Sequence, residues 1–250
     1  MTNKYMYFIA NWKMYGDLKS LNTLDKVIIF SKSNKINKFK LIYCPPYTLL
    51  SSFSSKLKKT NIEVGAQNCH EHENYGAFTG SVNSKMIKNS GANFVIIGHS
   101  ENRAEGESNI LINKKIQNAL KNKLKIILCI GETLSERKKN KTHRVLSNQI
   151  LFGLKDIKNL SNIIIAYEPI WSIGTGIVPK TKDLIKDINF IKSIIKNKLK
   201  QKYSKVLYGG SVNPQNINDL KKIGEIDGFL IGGASQDPKK FIDIVKKTFN

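Results

Sequence analysis

Apolar, β-branched-rich runs recur along the chain at Tyr5–Ala10, Phe39–Cys44, Ile62–Ala66, Phe94–Ile97, Lys125–Ile130, Ile163–Tyr167, Lys205–Tyr208 and Gly228–Ile231. Each is short enough for a strand, and most lack the alternation of a strand with one wet face, so they read as strands buried on both sides. Between them the spacing changes to the helical three-and-four, as in Ile110-Leu111-Lys114-Ile116-Leu120 and Leu184-Ile185-Ile188-Ile191-Ile195-Leu199, and Phe241-Ile244-Val245-Phe249 supplies a last helix. Strands alternating with helices predict a parallel sheet, and eight such units predict a closed α/β barrel. The 250 residues suit a single domain spanning 1–250, with no Pro/Ser-rich linker or compositional break to divide it.

A parallel barrel carries its chemistry on the loops that follow its strands, so the polar residues just after each run are the candidates. They are Asn11-Trp12-Lys13, Gly98-His99-Ser100-Glu101, Glu168, Gly209-Gly210-Ser211 and Gly232-Gly233-Ala234-Ser235, all at one mouth. Glu168 is the centre of this set. It ends the run Ile163–Tyr167, and Pro169 after it biases it towards extended backbone, with Gly174 and Gly176 freeing the far end of the loop. Most glutamates are simply solvated. Between Tyr167 and Pro169-Ile170-Trp171, however, this one is expected to be partly desolvated, which raises a carboxyl pKa and makes a better base near neutrality.

His99 follows a glycine and precedes what reads as the first turn of a helix, where an imidazolium is disfavoured and a neutral ring can donate to a carbonyl. Lys13 would be unremarkable among so many lysines, but at the mouth an ammonium can stabilise a developing oxyanion or a phosphate. Either glycine pair alone reads as a turn; both together favour an anion site, because bare backbone N–H groups approach phosphate closely.

Composition narrows the remaining classes. The formal net charge is +22, and of 41 basic residues only Arg103, Arg137 and Arg144 are arginines. Nucleic acid is the sharp reading of such a charge. The lysines, though, are spread over nearly every helical segment, which predicts no specific nucleic-acid site and only a general attraction for anions. No apolar run approaches the ~20 residues needed to span a bilayer, and the first residues reach Asn11 and Lys13 too soon for a signal peptide, so no membrane association is expected and a cytoplasmic location is.

Cys44, Cys69 and Cys129 are odd in number and lie in or beside apolar runs, which predicts reduced, buried thiols. Cys69-His70-Glu71-His72-Glu73 holds metal-ligating residue types, but neighbouring side chains diverge along an extended chain, and no metal site is expected. Gly174-Thr175-Gly176-Ile177-Val178-Pro179-Lys180-Thr181 nearly spells a nucleotide loop, yet Pro179 stands where a glycine N–H is required, so no nucleotide or other cofactor is indicated.

Together, Asn11-Trp12-Lys13, Gly76-Ala77-Phe78-Thr79-Gly80, Gly98-His99-Ser100-Glu101, Cys129-Ile130-Gly131-Glu132, Ala166–Gly176, Tyr208-Gly209-Gly210-Ser211-Val212 and Gly232-Gly233-Ala234-Ser235 resemble, in order and spacing, the triosephosphate isomerase family over the whole chain. That family is itself a worked example of tuned acid–base groups, so the roles that follow come from the resemblance. It implies a single-domain (β/α)8 TIM barrel that interconverts dihydroxyacetone phosphate and D-glyceraldehyde 3-phosphate without a cofactor. Glu168 would be the base, His99 the proton shuttle, and Lys13 and Asn11 the stabilisers of charge. Gly174, Ser211, Gly232 and Gly233 would hold the phosphate.

The resemblance also implies a homodimer, with the loop carrying Phe78-Thr79 projecting into the partner near Asn11 and His99. Two departures stand out: Asn102-Arg103 where the family has two arginines, with the segment before Gly106-Glu107 one residue short, and Ser81 where an acid is usual. Another phosphosugar enzyme on the same barrel is the first alternative reading, and a charge-driven nucleic-acid binder the second.

Overall fold

The computed structural model describes residues 4–33, 38–201 and 205–250. Eight strands, β1 (Met6–Asn11), β2 (Phe39–Cys44), β3 (Glu63–Ala66), β4 (Phe94–Ile97), β5 (Lys125–Ile130), β6 (Ile163–Tyr167), β7 (Lys205–Tyr208) and β8 (Gly228–Ile231), form one closed parallel barrel in sequence order. Closure is made by β8 against β1, with Tyr7 opposite Gly228 and Ala10 opposite Ile231. The near-continuous apolar runs are explained by two cores. Ile9, Ile42, Phe94, Ile96, Ile127, Ala166, Leu207 and Leu230 fill the barrel. Their neighbours Phe8, Leu41, Val95, Ile126, Ile165 and Phe229 point outwards beneath the helices. Because successive side chains of a strand alternate sides, a strand covered on both faces has no position to spare for a polar residue.

The helices are α1 (Leu24–Ser33), α2 (Tyr47–Leu57), α3 (Ser84–Asn89), α4 (Ser100–Ala104), α5 (Asn109–Lys121), α6 (Leu134–Lys138), α7 (Thr142–Gly153), α8 (Thr181–Asn197), α9 (Ile217–Leu220) and α10 (Pro238–Phe249). Their starts are written locally. Ser108 accepts from Leu111 N at the head of α5, Thr133 and Glu136 form a capping box on α6, and Asp237 caps α10 with Pro238 in its first turn.

Two boundaries differ from the sequence expectation. β1 runs one residue later than Tyr5–Ala10, so Asn11 is the last residue of the strand and is fixed by its pairing opposite Cys44. β3 starts at Glu63, one residue after Ile62. The intervals also carry more than one helix each in places: the short α4 and α6 lie directly at the mouth before the longer α5 and α7. Among the described residues no helix is long and apolar enough to cross a membrane.

Candidate active site

The strand ends bring the predicted residues together. A cavity of about 410 Å³ at the C-terminal mouth of the barrel is lined by Asn11, Lys13, His99, Glu168, Gly174, Ser211, Gly232 and Gly233, all of the predicted set. Lys240, on α10, also faces it and was not anticipated; in so lysine-rich a helix nothing in the sequence distinguishes it.

Glu168 is only 2 % exposed. Its backbone is held by its N–H, which donates to Ile130 O at 2.7 Å, and by Gly209 N, which donates to the neighbouring Tyr167 O at 2.8 Å. Burial pushes its carboxyl pKa up, opposed by His99, the Ser100 N–H, Cys129 and Lys13. The sequence predicts this desolvation from Tyr167 and the Pro169-Ile170-Trp171 cluster; the burial is found, while the polar ends of Tyr167 and Trp171 are engaged elsewhere. Both of those side chains turn away to Glu132: Tyr167 Oη donates to Glu132 Oε2 at 3.1 Å, and Trp171 Nε1 to Glu132 Oε1 at 3.1 Å. Two glycines leave room for Glu168 beside His99 and Cys129. A Cβ on Gly209 would lie 2.8 Å from Glu168 Cγ, and one on Gly131 would lie 1.7 Å from Glu168 O.

His99 is the N-cap of α4, reached through Gly98 at φ 74°. Its Nδ1 accepts from Glu101 N at 3.2 Å. A ring nitrogen that accepts from a backbone N–H carries no proton of its own, so in the neutral ring the proton sits on Nε2. That nitrogen faces Glu168 Oε1 at 3.4 Å. The proposed base and the proposed proton shuttle thus meet in the buried end of the cavity.

Lys13 adopts a left-handed backbone, φ 54°. Such a conformation is disfavoured for a residue with a Cβ and persists where the surroundings hold it. Here Lys13 N donates to Asn11 Oδ1 at 3.1 Å and Gln67 Nε2 donates to Lys13 O at 2.8 Å. No sequence signal marked this turn. Lys13 Nζ is bonded to Glu101, whose side chain is largely exposed.

The two glycine pairs have different reasons to be glycine. At Gly232 the nearest atom to a built Cβ is Lys13 Cε at 3.6 Å, and at Gly233 none lies within 4 Å, so their backbone faces open cavity. A Cβ on Gly210, by contrast, would fall 2.2 Å from Tyr208 Oη and 2.6 Å from Ser172 Oγ. Those two hydroxyls bond each other at 2.9 Å, and Ser172 Oγ also receives Ser211 N at 3.3 Å. Ser172, fully buried, was missed by the sequence reading.

The segment after Pro169 forms a tight turn over Ile170–Ser172 and is then exposed from Gly174 to Ile177, with Gly174 at φ 70° and Gly176 at φ 78°. These positive φ values are the freedom the sequence reading assigned to the two glycines.

Behind the His99 turn, Arg103 donates to Gly98 O at 2.7 Å, Cys129 O at 3.1 Å and Asn109 Oδ1 at 2.7 Å. The one arginine present at 102–103 is therefore the one that braces the turn carrying His99. Cys44, Cys69 and Cys129 are buried free thiols. His70 and His72 do not diverge as expected. Their rings stack at 5.5 Å and both pack on Phe78, at 4.8 and 4.0 Å, because the chain bends at Glu71 and His72 N donates back to His70 Nδ1 at 3.2 Å.

The sequence model of the family described as triosephosphate isomerase matches residues 6–248. The chain belongs to the triosephosphate isomerase family. Its relatives include the triosephosphate isomerases of Thermodesulfovibrio yellowstonii, 42% identical over 96% of this chain and 98% of that one, and of Aquifex aeolicus, 41% identical over 94% and 96%. The crystal structure of triosephosphate isomerase from Bartonella henselae superposes with a TM-score of 0.90 at 36% identity, covering 98% of this chain and all of that one. As a triosephosphate isomerase family member, the chain keeps the family barrel across its length.

Proposed function

We propose that this chain is a cofactor-free aldose–ketose isomerase that interconverts dihydroxyacetone phosphate and D-glyceraldehyde 3-phosphate through an enediolate. The observation that carries the reading is the meeting of a buried carboxylate of raised pKa, Glu168, with the Nε2 face of His99 in a cavity whose other wall is the lysine of a left-handed turn.

Glu168 takes the proton from the carbon beside the carbonyl. A raised pKa narrows the gap to a weakly acidic C–H and keeps the group useful as the acid that returns the proton. His99, with its proton on Nε2, donates to the substrate oxygen and moves protons between the two oxygens of the enediolate. Lys13 Nζ and the Asn11 amide stabilise the negative charge; binding substrate requires Lys13 to share its contact with Glu101. The backbone of Gly232 and Gly233 is open to the cavity, and with Ser211 and Gly174 it receives the phosphate dianion. Closure of the 169–176 segment then expels water and disfavours loss of phosphate from the intermediate.

The working unit is read as one barrel domain over 1–250 and as a homodimer. Support for the dimer is the exposed apolar surface near the mouth, where Met14 is 92 %, Tyr15 60 % and Tyr75 62 % exposed, beside the stacked loop of His70, His72 and Phe78. A cytoplasmic location fits three buried free thiols. The lysines are dispersed, so nucleic-acid binding is expected to be nonspecific and lost as salt rises.

A coupled assay with D-glyceraldehyde 3-phosphate, run beside light scattering for solution mass, tests both parts. Turnover by the dimer supports the reading. A folded protein without turnover overturns the activity, and an active monomer overturns the dimer.

A further inference from the structure

The apolar stripe of α8, Leu184, Ile188, Ile191 and Ile195, is interrupted by an acid, Asp187, only 4 % exposed. Nothing in the chemistry above uses it. It belongs to a polar cluster just behind the mouth, built from six elements. Arg137 Nη1, from α6, donates to Asp187 Oδ2 at 3.0 Å and to Glu132 Oε1 at 3.0 Å. Tyr167 Oη, from the end of β6, lies 3.1 Å from Asp187 Oδ2 and 3.1 Å from Glu132 Oε2. His143 Nε2, from α7, meets Asp187 Oδ1 at 3.0 Å, its ring stacked on Phe190 at 3.9 Å. Glu132 in turn receives Trp171 Nε1, and Arg137 lies over the Trp171 ring at 5.1 Å.

We propose that Asp187, oriented by His143, is a positioning residue for the 169–176 segment: it shares Arg137 and the Tyr167 hydroxyl with Glu132, and so fixes the carboxylate and the guanidinium between which Trp171 is held. The proposal rests on the isomerase reading in so far as that segment closes over substrate.

The donor count makes the sharing necessary. Tyr167 has one hydroxyl proton and two carboxylates at equal distance, and burial first, then the two acids, holds its pKa well above the ordinary phenol value, so that proton stays on. Arg137 offers one guanidinium charge to Glu132 and Asp187, with Asp183 further off at 3.6 Å and half exposed. Lys186 also lines the outer wall of this cluster. Burial pushes the Glu132 carboxyl up, against the Trp171 and Arg137 bonds. His143 is the donor that leaves Asp187 satisfied at both oxygens, so that Arg137 is pinned at two points rather than one.

With Asp187 gone, Arg137 keeps Glu132 and the more distant, half-exposed Asp183, and its Nη1 is held at one point instead of two beside the Trp171 ring. The resting position of the segment is then held less firmly. An interaction made in the resting position opposes closure, so weakening it lowers the cost of closing and slows reopening.

The test is a double-mutant cycle of Asp187→Asn with Trp171→Phe. In the native background Asp187→Asn is expected to lower KM for D-glyceraldehyde 3-phosphate by about three- to tenfold, the range one net hydrogen bond supports, with kcat equal or lower. In the Trp171→Phe background the KM change should vanish. The same KM change in both backgrounds, or a raised KM, overturns the proposal, because a merely structural acid would not act through Trp171.

His143→Phe keeps the stack on Phe190 and deletes only the bond to Asp187, so it serves if Asp187→Asn does not fold; the same sign with a smaller size is expected, and no change overturns the orienting role. Emission of Trp171 in the unliganded protein, taken as the difference from Trp171→Phe, separates the two readings. A red shift in Asp187→Asn supports the tether even if the wild type were to lack isomerase activity, and an unshifted emission overturns it even in an active enzyme.

Discussion

The two ends of the barrel treat buried acids in opposite ways. At the N-terminal end, Asp227 is 4 % exposed and receives Val206 N at 2.9 Å, Lys4 Nζ at 2.9 Å and Lys192 Nζ at 3.5 Å. Glu63 nearby receives Asn93 Nδ2 at 2.8 Å and Lys40 Nζ at 3.2 Å. Burial pushes the Glu63 carboxyl up, but the Asn93 and Lys40 contacts outweigh it and the net shift is downward. At the mouth, Glu168 is buried more deeply than Glu63, has His99 Nε2 at 3.4 Å and the Cys129 thiol as ionisable contacts, and is held above the ordinary carboxylate value. Burial raises both carboxyls, but at the partly exposed Glu63 the Asn93 and Lys40 contacts reverse the sign, whereas at the deeply buried Glu168 its partners do not. The closed end uses its charges to hold the barrel, and the open end leaves one carboxylate with a raised proton affinity, which suits the base proposed at Glu168.

The largest break in that contrast is Glu168→Gln. It removes the proposed base without changing the shape of the site, and kcat should fall by at least about 10³-fold in a protein that still folds, as steady-state kinetics would show. Next is Gly209→Ala, whose Cβ would press on Glu168 Cγ from 2.8 Å. The carboxylate must shift, and a misplacement on the order of 1 Å is enough to lower kcat by about 10²-fold while thermal unfolding changes little. At the other end the effect reverses. Asp227→Asn should leave kcat/KM intact but lower the unfolding free energy by about 1–3 kcal/mol, measured in denaturant, because Lys4, Lys192 and the Val206 N–H lose a charged acceptor.

The smallest effect is in the acid range. Glu63 has a lowered folded pKa, so its stabilisation is present above the unfolded value, about 4.3, and is lost as pH falls through the folded value; Glu63→Gln should therefore flatten acid unfolding just below that pH.

Much of this was legible in the sequence because the two periods were unambiguous. Strands such as Ile163–Tyr167 and Lys125–Ile130 are apolar on both sides, which only a covered parallel sheet explains, and their boundaries were read to the residue. The mouth residues followed from that placement alone. What the sequence hid were contacts set by tertiary closure. The left-handed turn at Lys13 depends on Gln67, 54 residues away, and the tether of Trp171 depends on Glu132, 39 residues earlier. Asp187 carried a local signal, an acid at a core position of α8, but its partners Arg137, His143 and Tyr167 come from three other elements and no spacing reveals them. The partner of Tyr167 was likewise hidden: adjacent residues of an extended chain point to opposite sides, so its hydroxyl reaches Glu132 on the side away from the Glu168 carboxylate.

The central claim is that Glu168 is buried at the expense of stability for the sake of its basicity. The most direct measurement is the difference in unfolding free energy between Glu168→Gln and the wild type as a function of pH. A carboxyl whose folded pKa is raised destabilises only when ionised: below the unfolded value of about 4.3 both states are protonated, and stability is lost as pH rises through the folded pKa. The Gln variant should therefore match the wild type most closely in acid, gain over it as pH rises, and be the more stable protein at neutrality. A difference that does not vary with pH, or a Gln variant that is less stable at neutral pH, would contradict the account.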